Sequence, residues 1–315
     1  MPIMDAVPLL DSATATILAS VNKYTIQQHV KWLDNCIEMP NTYTVYNFQT
    51  ARPRLETNNQ AIMRINEVSD GCTRCCCAPN HSVVLNFDAL DPSGRELFPV
   101  MTMERQGCCG KLCLGEIVCM ECCANEAFFH AGKVEGKAGE LDKSRVFGRA
   151  KVPIPFAGGF TPVIQVMDRD ATSDHHFASV KGPMCFGGCS ELCCSVPFTV
   201  KKVNKDGSIS VNVGDVATIT KMKPKSFADA MRELLTDSDL YELEIHDLSL
   251  SAQQRASLVG TLLLCDYMFF ERDIDACSYN VFTKELKISL CNCFCLGKII
   301  PCQCTCGGDD KERDS

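Results

Sequence analysis

Hydrophobic and polar residues alternate over much of the chain after Pro40, which is the pattern of half-buried β-strands. This alternation predicts strands over residues 42–48, 82–87, 198–203 and 208–213. Asp206-Gly207 lies between the last two of these runs and predicts a tight hairpin, because both residues of such a turn must tolerate positive φ. Residues 91–94, Asp-Pro-Ser-Gly, predict another turn. Most of the chain is therefore expected to consist of short strands separated by turns.

A short helix is predicted just before these strands. Thr25 and Gln28 have the spacing of a capping box, in which two side chains satisfy the free backbone groups at a helix start. Ile26, Val30 and Leu33 then recur on one helical face.

A longer helix is predicted after the strands. Ser251 and Gln254 also have the spacing of a capping box, and the helical pattern runs to about Arg272. Residues 256–270 are apolar on nearly every face, which indicates a helix buried on all sides. As a core helix it would pack one face through Leu258, Leu262, Cys265 and Phe269 and another through Val259, Leu263 and Phe270. Strands followed by such a helix suggest a barrel with a helix inside it.

The same apolar segment could instead enter a membrane. At ~1.5 Å per residue it would cover about 22 Å, short of the ~30 Å hydrocarbon core of a bilayer. Asp266 interrupts it and would have to be paired or face water, at a cost of several kcal/mol. We favour the core helix and keep the membrane segment as an alternative.

Composition and motifs exclude several classes of protein. The 31 Lys and Arg residues against 39 Asp and Glu give a net charge of −8, which argues against a nucleic-acid-binding surface. Residues 1–20 contain neither Lys nor Arg, so no secretory signal is expected. There is no phosphate-binding glycine loop, GxSxG or HExxH motif, and no nucleophile with an evident base, so a conventional enzyme is not expected.

Cysteine is unusually frequent, with 23 residues. Many are adjacent, as in the runs at 75–77, 108–109, 122–123 and 193–194. Neighbouring cysteines rarely form a disulfide with each other, because the bond needs a particular Cβ geometry. We therefore expect a reduced protein on the cytosolic side of a membrane.

Five segments resemble the phospholipid scramblase family in the same order. They are SDGCTRCC at residues 69–76, CLGEI at 113–117, KGPMC at 181–185, TDSD at 236–239 and LLCDYMFFE at 263–271. The last is similar to the family's helix ending in MFFE, and the fourth to its TDAD segment. The agreement runs from about residue 25 to residue 272, some four fifths of the chain.

The resemblance implies a tubby-like fold, which is mainly β. Its closed antiparallel barrel of about twelve strands surrounds a central hydrophobic C-terminal α-helix, in agreement with the pattern above. We expect an N-terminal leader over residues 1–24, the scramblase-like barrel over 25–272, and an appended Cys-rich tail over 273–315.

The resemblance also implies calcium as a cofactor. The corresponding segment contains the acidic residues Asp237, Asp239, Glu242, Glu244 and Asp247. Calcium takes six to eight oxygen ligands, and Asp237 and Asp239 match the family's first two acids. After them the match shifts by about one residue, and Glu242 stands where an EF-hand loop has glycine. The alternative is a solvated strand edge, because Leu243 and Ile245 are typical of a strand interior.

Two sets of cysteines are candidates for S-palmitoylation. The family's acylated run precedes a CLQEI segment, and Cys108, Cys109 and Cys113 correspond to it. In the tail, Cys291, Cys293 and Cys295 resemble a lipidation patch, although alternate cysteines facing one side of a strand also suit a metal. An unstructured reactive tail is a further alternative. The runs at 72–77 and 119–123 contain CxxC spacings, so structural zinc and buried free thiols remain alternatives.

The expected function follows from the resemblance. It is a membrane-associated protein at the cytoplasmic face of the plasma membrane, promoting calcium-activated, ATP-independent, bidirectional movement of phospholipids between leaflets. Membrane phospholipids are its expected partners, and nucleic acid is not. The alternative is a lipid-anchored tubby-like binding or scaffold protein without intrinsic scrambling, and a cysteine-rich zinc protein is a third hypothesis.

Overall fold

The computed structural model describes residues 10–29, 40–47, 60–68, 81–107, 124–153, 159–169, 173–204, 206–210, 214–223, 239–270, 277–280 and 284–307. The strands in these ranges are β1 Lys23–His29, β2 Thr42–Asn47, β3 Ala61–Val68, β4 Val83–Leu90, β5 Glu96–Arg105, β6 Glu126–Ala131, β7 Val146–Lys151, β8 Val163–Arg169, β9 Asp174–Lys181, β10 Cys185–Phe186, β11 Val196–Lys202, β12 Ala217–Lys221, β13 Leu240–Ile245, β14 Cys277–Asn280, β15 Glu285–Cys295 and β16 Lys298–Cys306. The helices are α1 Ser12–Ser20, α2 Cys189–Cys193 and α3 Ala252–Cys265, with a 3-10 turn at Lys143–Arg145 and a π-helical turn at Asp266–Phe270.

Twelve of the strands form a closed antiparallel barrel. Each barrel strand pairs with the next one along the chain, in the order β1 to β9 and then β11 to β13, while β10 lies outside the barrel. The barrel closes where β1 pairs with β13, with Ile26 opposite Tyr241. Closure leaves no barrel strand with an unpaired edge. The predicted fold class is confirmed.

The barrel interior follows from the alternation of the strands. On β4, Val83, Leu85, Phe87 and Ala89 have no exposed surface, because every second side chain of a strand lies on the same face. The intervening Asn86 is partly exposed. The inward residues of the other strands join them in a single core cluster around α3.

Helix α3 occupies the centre of this core. It begins as predicted: Ser251 Oγ accepts a hydrogen bond from Gln254 N, and the Gln254 side chain accepts one from Ser251 N. Every residue from Arg255 to Cys265 is buried, which accounts for the apolar character on nearly every face. Gly260 permits close approach of the Phe129 ring, since a Cβ there would lie 2.3 Å from a ring carbon.

Arg255 fixes the start of α3 to the end of α1. The side chain is 3% exposed, and its guanidinium donates to the carbonyls of Val21 at 2.9 Å and Leu248 at 3.2 Å. A buried guanidinium is stable only when its donors are satisfied in this way. Leu18 and Val21 belong to the core cluster, so the end of α1 and the residue after it pack with the barrel. The predicted division into a leader over residues 1–24, a barrel over 25–272 and a tail over 273–315 stays a prediction.

The strands β10, β14, β15 and β16 form a second, smaller sheet. β15 is its central strand and pairs with the other three. Phe294 of β15 is 4% exposed and packs edge to face against Phe269, with 6.3 Å between the ring centroids. The second sheet therefore contacts the C-terminal end of the central helix.

The predicted helix near Thr25 is wrong over the residues described. Residues 23–29 form β1, which pairs with β2 and β13, while residues 30–39 lie outside the described part. Tyr24 and Ile26 both point into the core. Pairing along both edges, together with β-favouring Tyr, Thr and Ile, outweighs a capping-box spacing read from a short window.

The predicted strand at 208–213 is described only to residue 210. There Ile209 forms a single bridge with Val203. The turn at Asp206-Gly207 is present: Gly207 has a φ of 81° and donates a backbone hydrogen bond to the Asn204 carbonyl at 2.9 Å. The turn at 91–94 is confirmed by a 2.9 Å hydrogen bond from Gly94 N to the Asp91 carbonyl.

Candidate functional site

The π-helical turn at the end of α3 places a carboxyl group in the core. Asp266 is 2% exposed, and its Oδ2 accepts a hydrogen bond from the Tyr43 hydroxyl at 2.8 Å. Its Oδ1 lies in hydrogen-bond contact with the Tyr241 hydroxyl. Burial raises the pKa of Asp266 to about 7, and the negative charge of Asp239 adds to the increase.

The Tyr241 hydroxyl lies between two carboxyl groups. It donates to Asp239 Oδ2 at 2.9 Å while also contacting Asp266. A phenol has one proton to donate, so both contacts are favourable only when Asp266 is protonated and donates to the Tyr241 oxygen. Burial, together with these carboxyl groups, holds the pKa of Tyr241 well above its ordinary value, so the phenol stays neutral. A chain of hydrogen bonds thus runs from Asp266 through Tyr241 to Asp239.

Lys221 binds the outer end of this chain. Its Nζ lies 2.8 Å from Asp239 and 2.7 Å from Glu191 of α2, and 4.7 Å from the centre of the Phe270 ring. Burial alone would lower the pKa of Lys221, but the negative charges of Asp239 and Glu191 outweigh it and raise that pKa. The ammonium group therefore stays charged and connects α2, the start of β13 and the end of the central helix.

A second polar group holds the opposite side of the π-helical turn. The Tyr267 hydroxyl donates to Glu67 Oε2 at 2.9 Å, and the same oxygen accepts from Asn41 N at 2.8 Å. Glu67 Oε1 lies 3.3 Å from Nε2 of the buried His81. Because a buried carboxylate is stable only with such partners, these bonds fix the turn in one orientation.

The described members of the acidic segment lie apart from one another. Glu242 and Glu244 share the outer face of β13, where Lys23 lies 2.7 Å from the first and 3.4 Å from the second. Asp247 accepts a hydrogen bond from Ser249 N at 3.0 Å, and Asp239 faces Lys221 as above. Over the described ranges, no three of these carboxylates share a metal-sized group. Asp237 lies outside the described residues, and calcium stays a prediction.

The candidate acylation sites are described only in part. Cys291, Cys293 and Cys295 are half-buried on β15. Cys108, Cys109 and Cys113, like the runs at 72–77 and 119–123, lie outside the described residues.

The predicted central-helix residues lie together in the core. Leu258 and Leu262 have no exposed surface, Phe269 is 3% exposed, and Phe270 packs beside Phe186 and Phe198. Within the described part of the chain, no helix combines the length and apolar character needed to cross a bilayer.

Comparison with known proteins connects this architecture to a family. A family model described as Scramblase matches residues 1–272. The chain belongs to the Scramblase family. It is 24% identical over 258 residues to a mouse protein named phospholipid scramblase 1, which covers 81% of this chain and 63% of that protein. It is 24% identical over 257 residues to a bovine phospholipid scramblase 2, covering 81% and 70%, and 23% identical over 257 residues to the human phospholipid scramblase 1, covering 81% and 64%. No solved structure matches.

The match covers only part of this chain and only part of each of these relatives. This chain spans less than two thirds of the mouse and human relatives. In this chain the family match ends at residue 272, so β14, β15 and β16 lie beyond it.

Most partners of the buried carboxyl in this scramblase-family chain were not predicted from sequence. Asp266 itself stood out as an acid in an apolar helix, which must be paired if it is buried. Nothing in the pattern pointed to Tyr43, Lys221, Tyr241 or Glu191, because they come from four separate elements. Only the strand order brings them to one end of the barrel.

Proposed function

We propose that this chain promotes calcium-activated, ATP-independent movement of phospholipids between the two leaflets, acting from the cytoplasmic face of a membrane. The observation that carries the proposal is the Scramblase match over residues 1–272. The relatives named phospholipid scramblase support the substrate class, which is membrane phospholipid.

In this proposal, calcium at the acidic segment acts through Asp239. Its carboxylate is already held by Lys221 and by the Tyr241 hydroxyl. Calcium bound there would compete with Lys221 and reduce the negative charge that acts on Asp266. Binding at the surface of the barrel would thereby alter the interactions that hold the end of the central helix.

Acyl chains would supply the membrane attachment. Each buried methylene adds about 0.8 kcal/mol, and stable anchoring takes two chains or a second signal. Cys108, Cys109 and Cys113 together could carry enough chains for this. Neutral hydroxylamine should release the corresponding mass from protein isolated from cells, and an unchanged mass would exclude thioesters.

A second candidate function is that of a lipid-anchored binding protein. It is favoured by the complete burial of Leu258, Leu262 and their neighbours inside the barrel. Their apolar surface is used in the core, and it is not presented to lipid in this conformation. Such a protein would recognise a lipid headgroup or a partner without moving phospholipid.

A fluorescent-lipid quenching assay separates the two. The purified full chain is reconstituted into liposomes that carry a fluorescent phospholipid, and dithionite is added with or without calcium. Scrambling predicts quenching beyond the outer-leaflet half in the presence of calcium, and its loss in the double variant Asp237→Asn with Asp239→Asn. Quenching that stops at half in every condition would support the binding protein.

The matched control is Asp206→Asn, which removes one carboxylate from an exposed turn far from the acidic segment in sequence. It should scramble as the unmodified chain does. Calorimetric titration with calcium gives an independent readout: an isotherm unchanged by the double variant would exclude Asp237 and Asp239 as ligands, whatever the chain does to lipid.

A further inference from the structure

Four cysteines meet on one face of the second sheet. Cys291 and Cys293 are two residues apart on β15, so their side chains point to the same face. Cys185 of β10 is paired directly opposite Cys293, and Cys302 of β16 is opposite Cys291. Residues opposite each other in adjacent strands share a face, so the register alone brings these four thiols together.

The sulfur atoms are as close as metal ligands. The Sγ atoms of Cys185, Cys291 and Cys293 all lie within 4.8 Å of one another, the only such group among the described residues. Cys293 Sγ lies 3.0 Å from that of Cys185 and 3.4 Å from that of Cys302. Zinc–sulfur bonds of ~2.3 Å in a tetrahedron place the sulfurs ~3.8 Å apart, so small side-chain rotations suffice.

Two glycines make this close approach possible. Gly187 and Gly188 follow β10 with φ values of 75° and 61°, which favour glycine. A Cβ on Gly188 would lie 2.6 Å from the Ser289 carbonyl oxygen, and one on Gly187 would lie 2.4 Å from the Asn292 amide nitrogen. The backbone after Cys185 is thus built to lie directly against β15.

We propose that Cys185, Cys291, Cys293 and Cys302 bind one zinc ion as a tetrahedral four-thiolate site. Each thiol loses its proton to solvent as it binds. Four thiolates with no open position are the ligand set of a structural zinc site.

Without a metal ion, each of the clustered thiols makes it less favourable for its neighbours to lose a proton. Cys293 Sγ lies within hydrogen-bond distance of the sulfurs of Cys185 and Cys302, so two thiolates in this cluster would place negative charges side by side. A divalent cation reverses this effect, because it stabilises every thiolate around it.

The site would join β15 and β16 to β10, which the chain connects to the barrel strands β9 and β11. On β15, Asn292 and Phe294 face inward while Cys291, Cys293 and Cys295 face outward. Zinc between β10, β15 and β16 would therefore hold Phe294 against Phe269 of the central helix. The proposal does not rest on the function proposed above, since three of its four ligands lie beyond residue 272.

Zinc and acyl chains exclude each other at Cys291 and Cys293, because a thioester sulfur no longer offers a thiolate. If zinc binds Cys291 and Cys293, only Cys295 of the predicted lipidation patch in the tail can carry an acyl chain.

Metal content of paired variants tests the site. The full chain is purified in reductant, stripped of metal and loaded with zinc or cobalt. Because the other cysteine runs can also bind metal, the readout is a difference: Cys185→Ser with Cys293→Ser should bind one equivalent fewer than the unmodified chain. The control, Cys304→Ser with Cys306→Ser, removes two exposed cysteines of the same sheet and should bind as much metal as the unmodified chain. Cys302→His should retain the metal with a shifted cobalt spectrum, because imidazole replaces one sulfur.

Alkylation kinetics keep the test independent of variant folding. In the unmodified chain, zinc should slow alkylation of Cys185, Cys291, Cys293 and Cys302, and a chelator should restore it. Equal metal content in the Cys185/Cys293 variant and the unmodified chain, or alkylation rates indifferent to zinc, would overturn the proposal. A thioester at Cys293, or a disulfide at Cys293 that persists in reductant, would also overturn the proposed zinc site.

Discussion

Replacing Asp266 with asparagine tests whether the carboxyl group at the end of the central helix is protonated in the folded protein. Asparagine resembles the protonated carboxyl in shape, and its amide can donate to the Tyr241 oxygen while its carbonyl accepts from Tyr43. The variant therefore keeps the hydrogen bonds and removes the ionisation.

The magnitude follows from the difference between two pKa values. The pKa of Asp266 is about 7 in the folded chain against 3.8 for the ordinary group. A folded pKa above the unfolded one contributes stability that is fully present below pH 3.8 and is lost as the pH rises through 7. At 1.36 kcal/mol per pKa unit, the loss is about 4 kcal/mol in all and about 2 kcal/mol between pH 5 and pH 7.

Urea unfolding at a series of pH values measures this effect. The free energy of unfolding of Asp266→Asn minus that of the unmodified chain should rise by about 2 kcal/mol from pH 5 to pH 7 and level off above pH 8. Other titrating groups occur in both proteins and largely cancel in the difference. Asp206→Asn is the control: neighbouring hydrogen bonds from Ser208 lower its pKa, so its difference should stay flat over this range. A flat difference for Asp266→Asn would refute the assignment of a proton to Asp266.

Two further substitutions test the packing and the charge around the helix. Gly260→Ala would place a Cβ 2.3 Å from the Phe129 ring, so overpacking of about 1–3 kcal/mol should exceed the ~1 kcal/mol gain in helix propensity. Gly214→Ala, whose Cβ would meet nothing within 4 Å, is its control in the same urea titration, and equal stability of the two variants would contradict the packing. Lys221→Met leaves Asp239 and Glu191 without their shared cation and should lower stability by about 3 kcal/mol at pH 7. That loss should shrink in thermal melts at pH 4, because burial raises the pKa of Glu191 and a protonated Glu191 no longer needs the cation. A loss that is independent of pH would contradict the ion pair between Lys221 and Glu191.

The sequence predicts the strongly periodic parts of this fold. The Ser251 capping box and the apolar run after it identify the central helix, because every face of that helix is buried. The barrel itself was expected from short alternating strands together with the family resemblance. Local pattern failed at Thr25, where seven residues are too few to distinguish a helix face from a strand with partners on both edges.

The polar contacts around Asp266 could not be predicted from the sequence, because they depend on how the strands pair. Tyr241 reaches Asp266 only because β13 pairs with β1 and closes the barrel beside the end of α3. The four clustered thiols depend in the same way on β10 joining the edge of β15. Spacing along the chain predicted that Cys291 and Cys293 share a face, but it could not identify Cys185 as their neighbour.

The burial of the central helix in a closed barrel underlies the account of Asp266 and its partners, and hydrogen exchange read by mass spectrometry measures it directly. The backbone amides of residues 256–265 should exchange only through global unfolding, and so more slowly than any exposed turn. Peptides from the turn at 91–94 provide the fast reference within the same experiment. Exchange of the helix at a rate comparable to that turn would contradict the buried helix, and with it the pairing of Asp266 with Tyr241 and Tyr43.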